Sequence, residues 1–202
     1  MIIIITGKSA SGKTTLMNLL KYVFDQAGFI KTVTTCAQKP NNSSEAKIVS
    51  QEEFQKLIDN KELASWRKTS LKNETLADYS GVTFRSADEA IRDNKIAIYL
   101  ATPAEIPNWQ RYFGERTIFI HLLSPTKNEL HQRMLNQGDL NEVEINNRIK
   151  LETKWDLEVA DLKKSGVSIY LIPSGTLEEV FFKAIEFVLN FKIQTYLSFI
   201  SA

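Results

Sequence analysis

The sequence predicts an α/β fold built on a parallel sheet, and three observations carry that prediction. Short runs rich in Ile, Val, Phe and Tyr alternate with helix-like segments. Several of those segments open on a hydroxyl residue followed three positions later by a carboxylate, the reciprocal cap of a helix start. The first residues, MIIIIT, are continuously apolar, as in a strand buried on both faces, and run straight into a glycine-rich turn.

Taken in order, Ile2–Thr6 reads as the first strand and Thr14 to about Ala27 as the first helix. Ile30–Thr35 reads as a strand. The stretch from Thr34 to Gly81 is polar and irregular, with one helix capped by Ser50 and Glu53, and is expected to form a smaller subdomain over the sheet. Ser86 and Glu89 cap the next helix. Strands follow at Ile96–Ala101 and Thr117–Leu122. Ser124 before Pro125 reads as an N-cap with proline at the first helical position, and Gly138 ends that helix. One long helix is expected from about Asn141 to Ser165, stopped by Gly166, then a strand at Val167–Ile172 and a helix capped by Thr176 and Glu179. The tail 190–202 is amphipathic, fit to pack on the body or on a second copy. All 202 residues are expected to form a single domain.

With 25 basic and 24 acidic residues, the net charge of +1 supplies no general field for nucleic acid or an anionic membrane. The lone Cys36 excludes an internal disulfide and fits a reducing cytoplasm; with His121 and His131 it cannot build a Cys/His zinc cluster. Ile2–Ile5 is too short for a signal sequence, and the apolar run 185–200 is broken by Glu186, Asn190, Lys192 and Gln194, so neither an export signal nor a membrane span is expected.

Gly7-Lys8-Ser9-Ala10-Ser11-Gly12-Lys13-Thr14 satisfies G-x-x-x-x-G-K-[ST] between a strand and a helix, where the motif's mechanism requires it. Glycines let the backbone wrap so that successive N–H groups, through Thr15, point at phosphate oxygens, aided by the positive end of the helix. Lys13 then reaches the β- and γ-phosphates of ATP, and the Thr14 hydroxyl ligates Mg²⁺. The alternative is a chance match, which the strand-loop-helix context opposes.

Other segments carry a resemblance in the same chain order. "TVTTC", "KIVSQEEFQKLIDNKELASW", "SGVTFRSADEAIRDNK", "TIFIHLLSPTKNELHQRMLNQG" and "EVEINNRI" together resemble the guanylate kinase family of P-loop nucleoside monophosphate kinases over about residues 1–190. The resemblance implies a three-layer P-loop kinase fold with a central parallel sheet, a small monophosphate-binding subdomain at about 34–83 and a lid at about 136–144. It implies that Arg133 and Arg148 contact donor phosphates and the transferring phosphoryl, a task suited to a planar, permanently charged guanidinium. Against that stands a plainer reading of Arg148, four residues from both Glu144 and Glu152, as a helix-surface ion-pair partner. Ser174 and Gly175 match the loop that lines adenine in relatives, or are a simple turn.

The acceptor side departs from the family. Cys36 stands where the first phosphate-clamping arginine is expected, and only Lys39 follows, so the clamp is missing or rebuilt from Lys39, Arg67 or Lys68. Ser65 replaces the glutamate that reads guanine, Ser80 the tyrosine before Gly-Thr, with Tyr79 adjacent, and Thr102 the strand-end aspartate. Thr34 and Thr35 keep hydroxyls that can bond a base or phosphate. Asp78 and Glu105, the nearest carboxylates in sequence to stand in for the missing aspartate at the metal, read better as solvated surface charges. The resulting expectation is an ATP- and Mg²⁺-dependent kinase of GMP, dGMP or another nucleoside monophosphate, cytoplasmic, monomeric or homodimeric. Its rivals are a kinase of a different small acceptor and a non-catalytic module that binds a protein.

Overall fold

The computed structural model describes residues 1–36, 46–69, 78–138 and 140–200. In chain order the elements are β1 (Ile2–Gly7), α1 (Lys13–Val23), β2 (Ala27–Phe29), β3 (Thr32–Thr34), β4 (Ala46–Ile48), α2 (Gln51–Asp59), β5 (Leu63–Thr69), β6 (Asp78–Thr83), α3 (Phe84–Asp93) and β7 (Ile96–Leu100). They continue with α4 (Ile106–Phe113), β8 (Thr117–Leu122), α5 (Lys127–Gln137), α6 (Glu142–Glu152), α7 (Trp155–Lys164), β9 (Ile169–Ile172) and α8 (Leu177–Ile200).

A five-stranded sheet of order β2-β7-β1-β8-β9 forms the centre, every neighbour parallel. Its middle strand explains its sequence. Ile2 and Ile4 face the core that includes Trp109 and Val159, Ile3 and Ile5 face the core of α1 and α8, and none of the four is exposed. Helices on both faces require this two-sided apolar strand. Strand order reverses at β1, with β7 on one side and β8 on the other, so the C-terminal ends of these strands open a crevice of the kind that binds ligands in α/β sheets. A second sheet, β4-β3-β6-β5, carries α2 through a small aromatic core in which Phe54 stacks on Tyr79 at 5.4 Å.

The structure corrects several expectations. The strand anticipated at Ile30–Thr35 is divided: Thr32–Thr34 joins the second sheet, and the central sheet takes Ala27–Phe29 instead. That strand is short and contains Gly28, whose missing side chain admits Asn94, so no branched run announced it. Thr83, not Ser86, caps α3, accepting from the Ser86 N–H. Thr126, not Ser124, caps α5; the Ser124 hydroxyl turns to Asp156 at 3.4 Å. The first helix ends at Val23, where Phe24 turns extended.

The helix expected from Asn141 to Ser165 is two helices, broken at Thr153–Lys154, where the Thr153 hydroxyl donates back to the Ile149 carbonyl at 2.8 Å. The tail expectation applies to a helix that runs on to Ile200: Phe191 packs on the core, while Ile193, Tyr196 and Leu197 are exposed. Among the described residues, no helix is long and apolar enough to cross a membrane.

Candidate functional site

At the crevice, β1 delivers Gly7 into a turn that ends on Gly12, the N-cap of α1. Gly12 has φ 95° and offers no side chain to the helix end. The first-turn N–H groups of Lys13, Thr14 and Thr15 therefore lack both an intrahelical acceptor and a side-chain cap, leaving an anion-seeking helix terminus. Gly7 is required by its surroundings: at φ 144°, a Cβ there would lie 2.8 Å from Ser11 Oγ and 2.9 Å from the Leu122 carbonyl. Ala10 is held left-handed at φ 58° without being glycine. The Ser11 hydroxyl is buried with no hydrogen-bond partner. Strain and an orphaned donor in one loop are features that a bound phosphate would relieve.

Lys13 folds over the turn and donates to the Lys8 carbonyl at 2.7 Å. Burial lowers its pKa to about 8; Arg67 and Arg148 push the same way, and Glu152 opposes them. Three charged groups, one from β5 and two from α6, thus act on one ammonium.

Two carboxylates hold the loop from outside. Glu152, at the end of α6, accepts from the Ser9 N–H at 2.6 Å and from the Ser9 hydroxyl at 2.7 Å. Asp156, in the first turn of α7, pairs with the Lys8 ammonium at 2.7 Å and with His121 Nε2 at 2.9 Å. The other ring nitrogen of His121, Nδ1, lies 2.8 Å from the buried Thr6 hydroxyl. Burial lowers the His121 pKa and outweighs Asp156, so the ring is neutral; Nε2–H donates to Asp156 and Nδ1 accepts from Thr6. Burial alone would raise the Asp156 pKa, but the bonds from Lys8 and His121 hold it below the usual carboxylate range. The break between α6 and α7 is what lets both carboxylates turn to the same loop.

Across the crevice, β3, β6 and β5 align Thr34, Ser80 and Arg67 in one row, since Thr34 pairs with Ser80 and Ser80 with Arg67. Residues directly opposite in antiparallel strands share a face. Beneath the row lies Glu105, 2% exposed, which contradicts its reading as a solvated charge; Asp78, 8% exposed, corrects likewise. Glu105 Oε1 accepts from the Ser65 and Tyr99 hydroxyls, both at 2.9 Å. Its Oε2 accepts from Arg67 Nη1 at 2.7 Å and from the N–H and hydroxyl of Thr102 at 2.7 and 2.9 Å. Burial would raise the Glu105 pKa, yet Arg67 and these donors keep it below the ordinary range.

The anticipated site residues fall into groups. Gly7, Gly12, Lys13, Thr14 and Thr15 frame the open turn, and Ser11 buries an unpartnered hydroxyl beside Gly7. Lys8 and Ser9 are in the loop, but the Lys8 ammonium is committed to Asp156 and the Ser9 donors to Glu152. Arg133 leans on the loop, donating to the Ala10 carbonyl at 3.4 Å and to Glu129 at 2.6 Å. Arg148 is exposed on α6; the Glu152 oxygens go to Ser9, so that carboxylate does not pair with it. Ser174 and Gly175 are exposed in the loop between β9 and α8.

On the acceptor side Thr34 and Ser80 share the row, but Thr34 spends its hydroxyl on the Tyr79 carbonyl. Thr35 accepts from the Tyr79 N–H at 2.9 Å. Ser65 is sealed, its hydroxyl tied to Glu105, and Thr102 bonds the same carboxylate. Tyr79 points away, packed between Phe54 and Trp66, because its neighbour Ser80 holds the opposite face of β6. Lys39 lies outside the described residues, as does Asp139 of the expected lid.

Glu152, Asp156, His121, Thr6 and Tyr99 were not anticipated. Glu152 had a signal: it continues the buried stripe Ile145, Ile149 of α6, where a carboxylate must have a partner. Glu105 had one too, in the capping pair it makes with Thr102.

No protein-family model matches the chain. Curated relatives are similar over most of it: guanylate kinase of Aster yellows witches'-broom phytoplasma is 24% identical over 173 residues, covering 80% of this chain and 78% of its own. Guanylate kinase of Trichodesmium erythraeum is 26% identical over 161 residues, covering 79% and 82%. The crystal structure of guanylate kinase from Anaplasma phagocytophilum superposes with a TM-score of 0.59 at 17% identity, covering 94% of this chain and 84% of that one. With its glycine-framed turn at the switch point of a parallel sheet, the chain is similar to guanylate kinases in sequence over most of its length and shares the fold of one.

Proposed function

We propose that the chain is an ATP- and Mg²⁺-dependent nucleoside monophosphate kinase. The observation that carries the reading is the pairing of an open, uncapped α1 terminus around Lys13 with a second sheet that brings Arg67 to bear on the same lysine. ATP fits the loop: the unpartnered Ser11 hydroxyl and the uncapped first-turn N–H groups are donors awaiting an anion. Mg²⁺ fits as well. The described residues hold no cluster of three or more His, Cys, Asp or Glu, and this cation commonly takes one or two protein oxygens while keeping its waters; Thr14, exposed at the start of α1, is the protein oxygen in place.

When bound, ATP supplies the phosphoryl group and Mg²⁺ spreads its charge. The rest is positioning by this chain. Lys13 meets the phosphates, Arg133 and Arg148 approach from α5 and α6, and Ser174 with Gly175 borders the adenine end. Such transfers need electrostatic placement more than a strong base. In this reading residues 34–83 form the acceptor subdomain, 136–144 the lid that excludes water, and the whole chain a single domain.

GMP and dGMP are the reference acceptors by family. One observation favours another monophosphate: Ser65 is sealed and bonded to Glu105, so no carboxylate at that position meets a base edge. A site that reads a base by hydrogen bonding owes its discrimination to such groups. Purified protein given ATP, Mg²⁺ and a panel of ribo- and deoxyribonucleoside monophosphates should release ADP with at least one acceptor above the ATP-only rate. No acceptor-dependent ADP would overturn the proposal.

A further inference from the structure

We propose that Arg67 is the acceptor-phosphate clamp of this protein and that Glu105 is the residue that positions it. This rests on the kinase reading above and names the group that replaces what Cys36 cannot supply.

The row Thr34-Ser80-Arg67 sets the argument. Arg67 stands directly across from Ser80, where the family resemblance implies a tyrosine, so a long cationic side chain rises beside a position that has become small. It rises on the crevice side, because the opposite face of this sheet is filled by Phe54, Trp66 and Tyr79. Its direction is fixed from below: Nη1 is held by Glu105 Oε2 at 2.7 Å and by the Tyr99 hydroxyl at 3.3 Å.

Glu105 can do this because it is itself immobile, taking donors from Ser65, Tyr99 and Thr102 on two strand ends. With both oxygens occupied it has no capacity left to read a base. Through Thr102 it is anchored where β7 leaves the central sheet beside β1, at the edge of the glycine-framed turn. The Arg67 side chain keeps 29% of its surface exposed although its partner is buried, and of its guanidinium nitrogens it is Nη1 that Glu105 and Tyr99 hold. Its charge reaches Lys13. An anion between Arg67 on the second sheet and Lys13 at the start of α1 would answer both charges, and a planar fork pinned at Nη1 can offer its remaining N–H groups to a phosphate without losing further freedom.

The test separates phosphate from base. Titration calorimetry on protein loaded with ADP and Mg²⁺ compares GMP, AMP, CMP and UMP with their nucleosides, in wild type, Arg67→Lys, Arg67→Met and Glu105→Gln. Wild type is expected to bind at least one monophosphate far better than its nucleoside. Arg67→Lys, which keeps a charge for Glu105 and so guards against the misfolding that Arg67→Met risks, should lower that preference tenfold or more. Glu105→Gln, retaining Arg67 but loosening it, should lower it several-fold. ADP and nucleoside affinities should stay put in both.

An unchanged preference in Arg67→Lys overturns the clamp, and an unchanged preference in Glu105→Gln overturns the positioning role. If wild type binds no monophosphate better than its nucleoside, both this inference and the acceptor class fall. Binding that obeys the expectation with no phosphoryl transfer in the activity panel overturns the kinase reading alone and supports the clamp.

Discussion

The Glu152 carboxylate takes two donors from one residue of the glycine-rich turn, the N–H and the hydroxyl of Ser9, at 2.6 and 2.7 Å. The bond joins α6 to the loop at its outer edge and leaves the α1 terminus open. Removing the carboxylate strands two donors, and an unsatisfied buried polar group costs about 1–3 kcal/mol. Glu152→Ala should therefore lower stability by roughly that amount, read as a fall in urea midpoint at constant slope. Glu152→Gln keeps an acceptor for Ser9 and should cost less. An Ala variant as stable as wild type would show the bond to be incidental.

Lys13 gives nucleotide binding a pH dependence of definite sign. In the free protein, burial brings its pKa to about 8, and phosphate favours the charged ammonium. Affinity for ADP should be flat below about pH 7 and fall by up to tenfold per unit above about pH 8, with proton uptake on binding. Stability of the free protein runs the other way. The charged form is penalised on folding, so Lys13 contributes stability as pH rises from about 8 towards the unfolded value of 10.5. Since Glu152 supports the ammonium, Glu152→Gln should shift the onset of affinity loss to lower pH. Calorimetry in buffers of different ionisation heat measures both onset and proton count.

His121 and Asp156 govern the acid side. A ring held neutral by burial binds a proton only below its unfolded pKa of about 6.5, so its contribution is present above that pH and is lost as pH falls towards the folded value. Asp156, held low by Lys8 and His121, adds a second loss below about pH 4. Wild type should lose stability between pH 7 and pH 5, and His121→Gln, which cannot titrate, should flatten that window while leaving the loss below about pH 4. A His121→Gln profile parallel to wild type from pH 7 to 5 would remove His121 as the cause.

How much of this was readable beforehand depended on whether a residue's signal was local. Ile2–Ile5 and Gly7–Thr14 name their strand and turn because both obey local geometry, and the parallel α/β class follows from them. Ala27–Phe29 was invisible because a short strand with a glycine carries no pattern; its pairing with β7 supplies what its residues do not. The break at Thr153 was missed because the surrounding periodicity continues through it. What breaks it is tertiary, the pull of Glu152 and Asp156 to Ser9 and Lys8. Glu105 was misread for the same reason: its five donors come from residues 65, 67, 99 and 102, whose convergence no spacing announces.

The two glycines of the turn separate steric from conformational demand. Both have positive φ, 144° at Gly7 and 95° at Gly12, so a side chain at either is strained by about 1–3 kcal/mol. Only at Gly7 is the space also taken: its Cβ would meet the Leu122 backbone at 2.9 Å and the Ser11 hydroxyl at 2.8 Å, whereas nothing lies within 4 Å at Gly12. Ser11 can rotate, but Leu122 belongs to β8 and is fixed by its pairing to β1 and β9. Gly7→Ala should therefore displace the turn and destabilise the apo protein more than Gly12→Ala does. Gly12→Ala should show its cost mainly as weaker ADP binding, by about 10- to 100-fold, because a bound phosphate would come up against its backbone. Urea midpoints and ADP titrations on the two variants test the ordering, and equal apo stabilities would mean that the Leu122 contact does not constrain the loop.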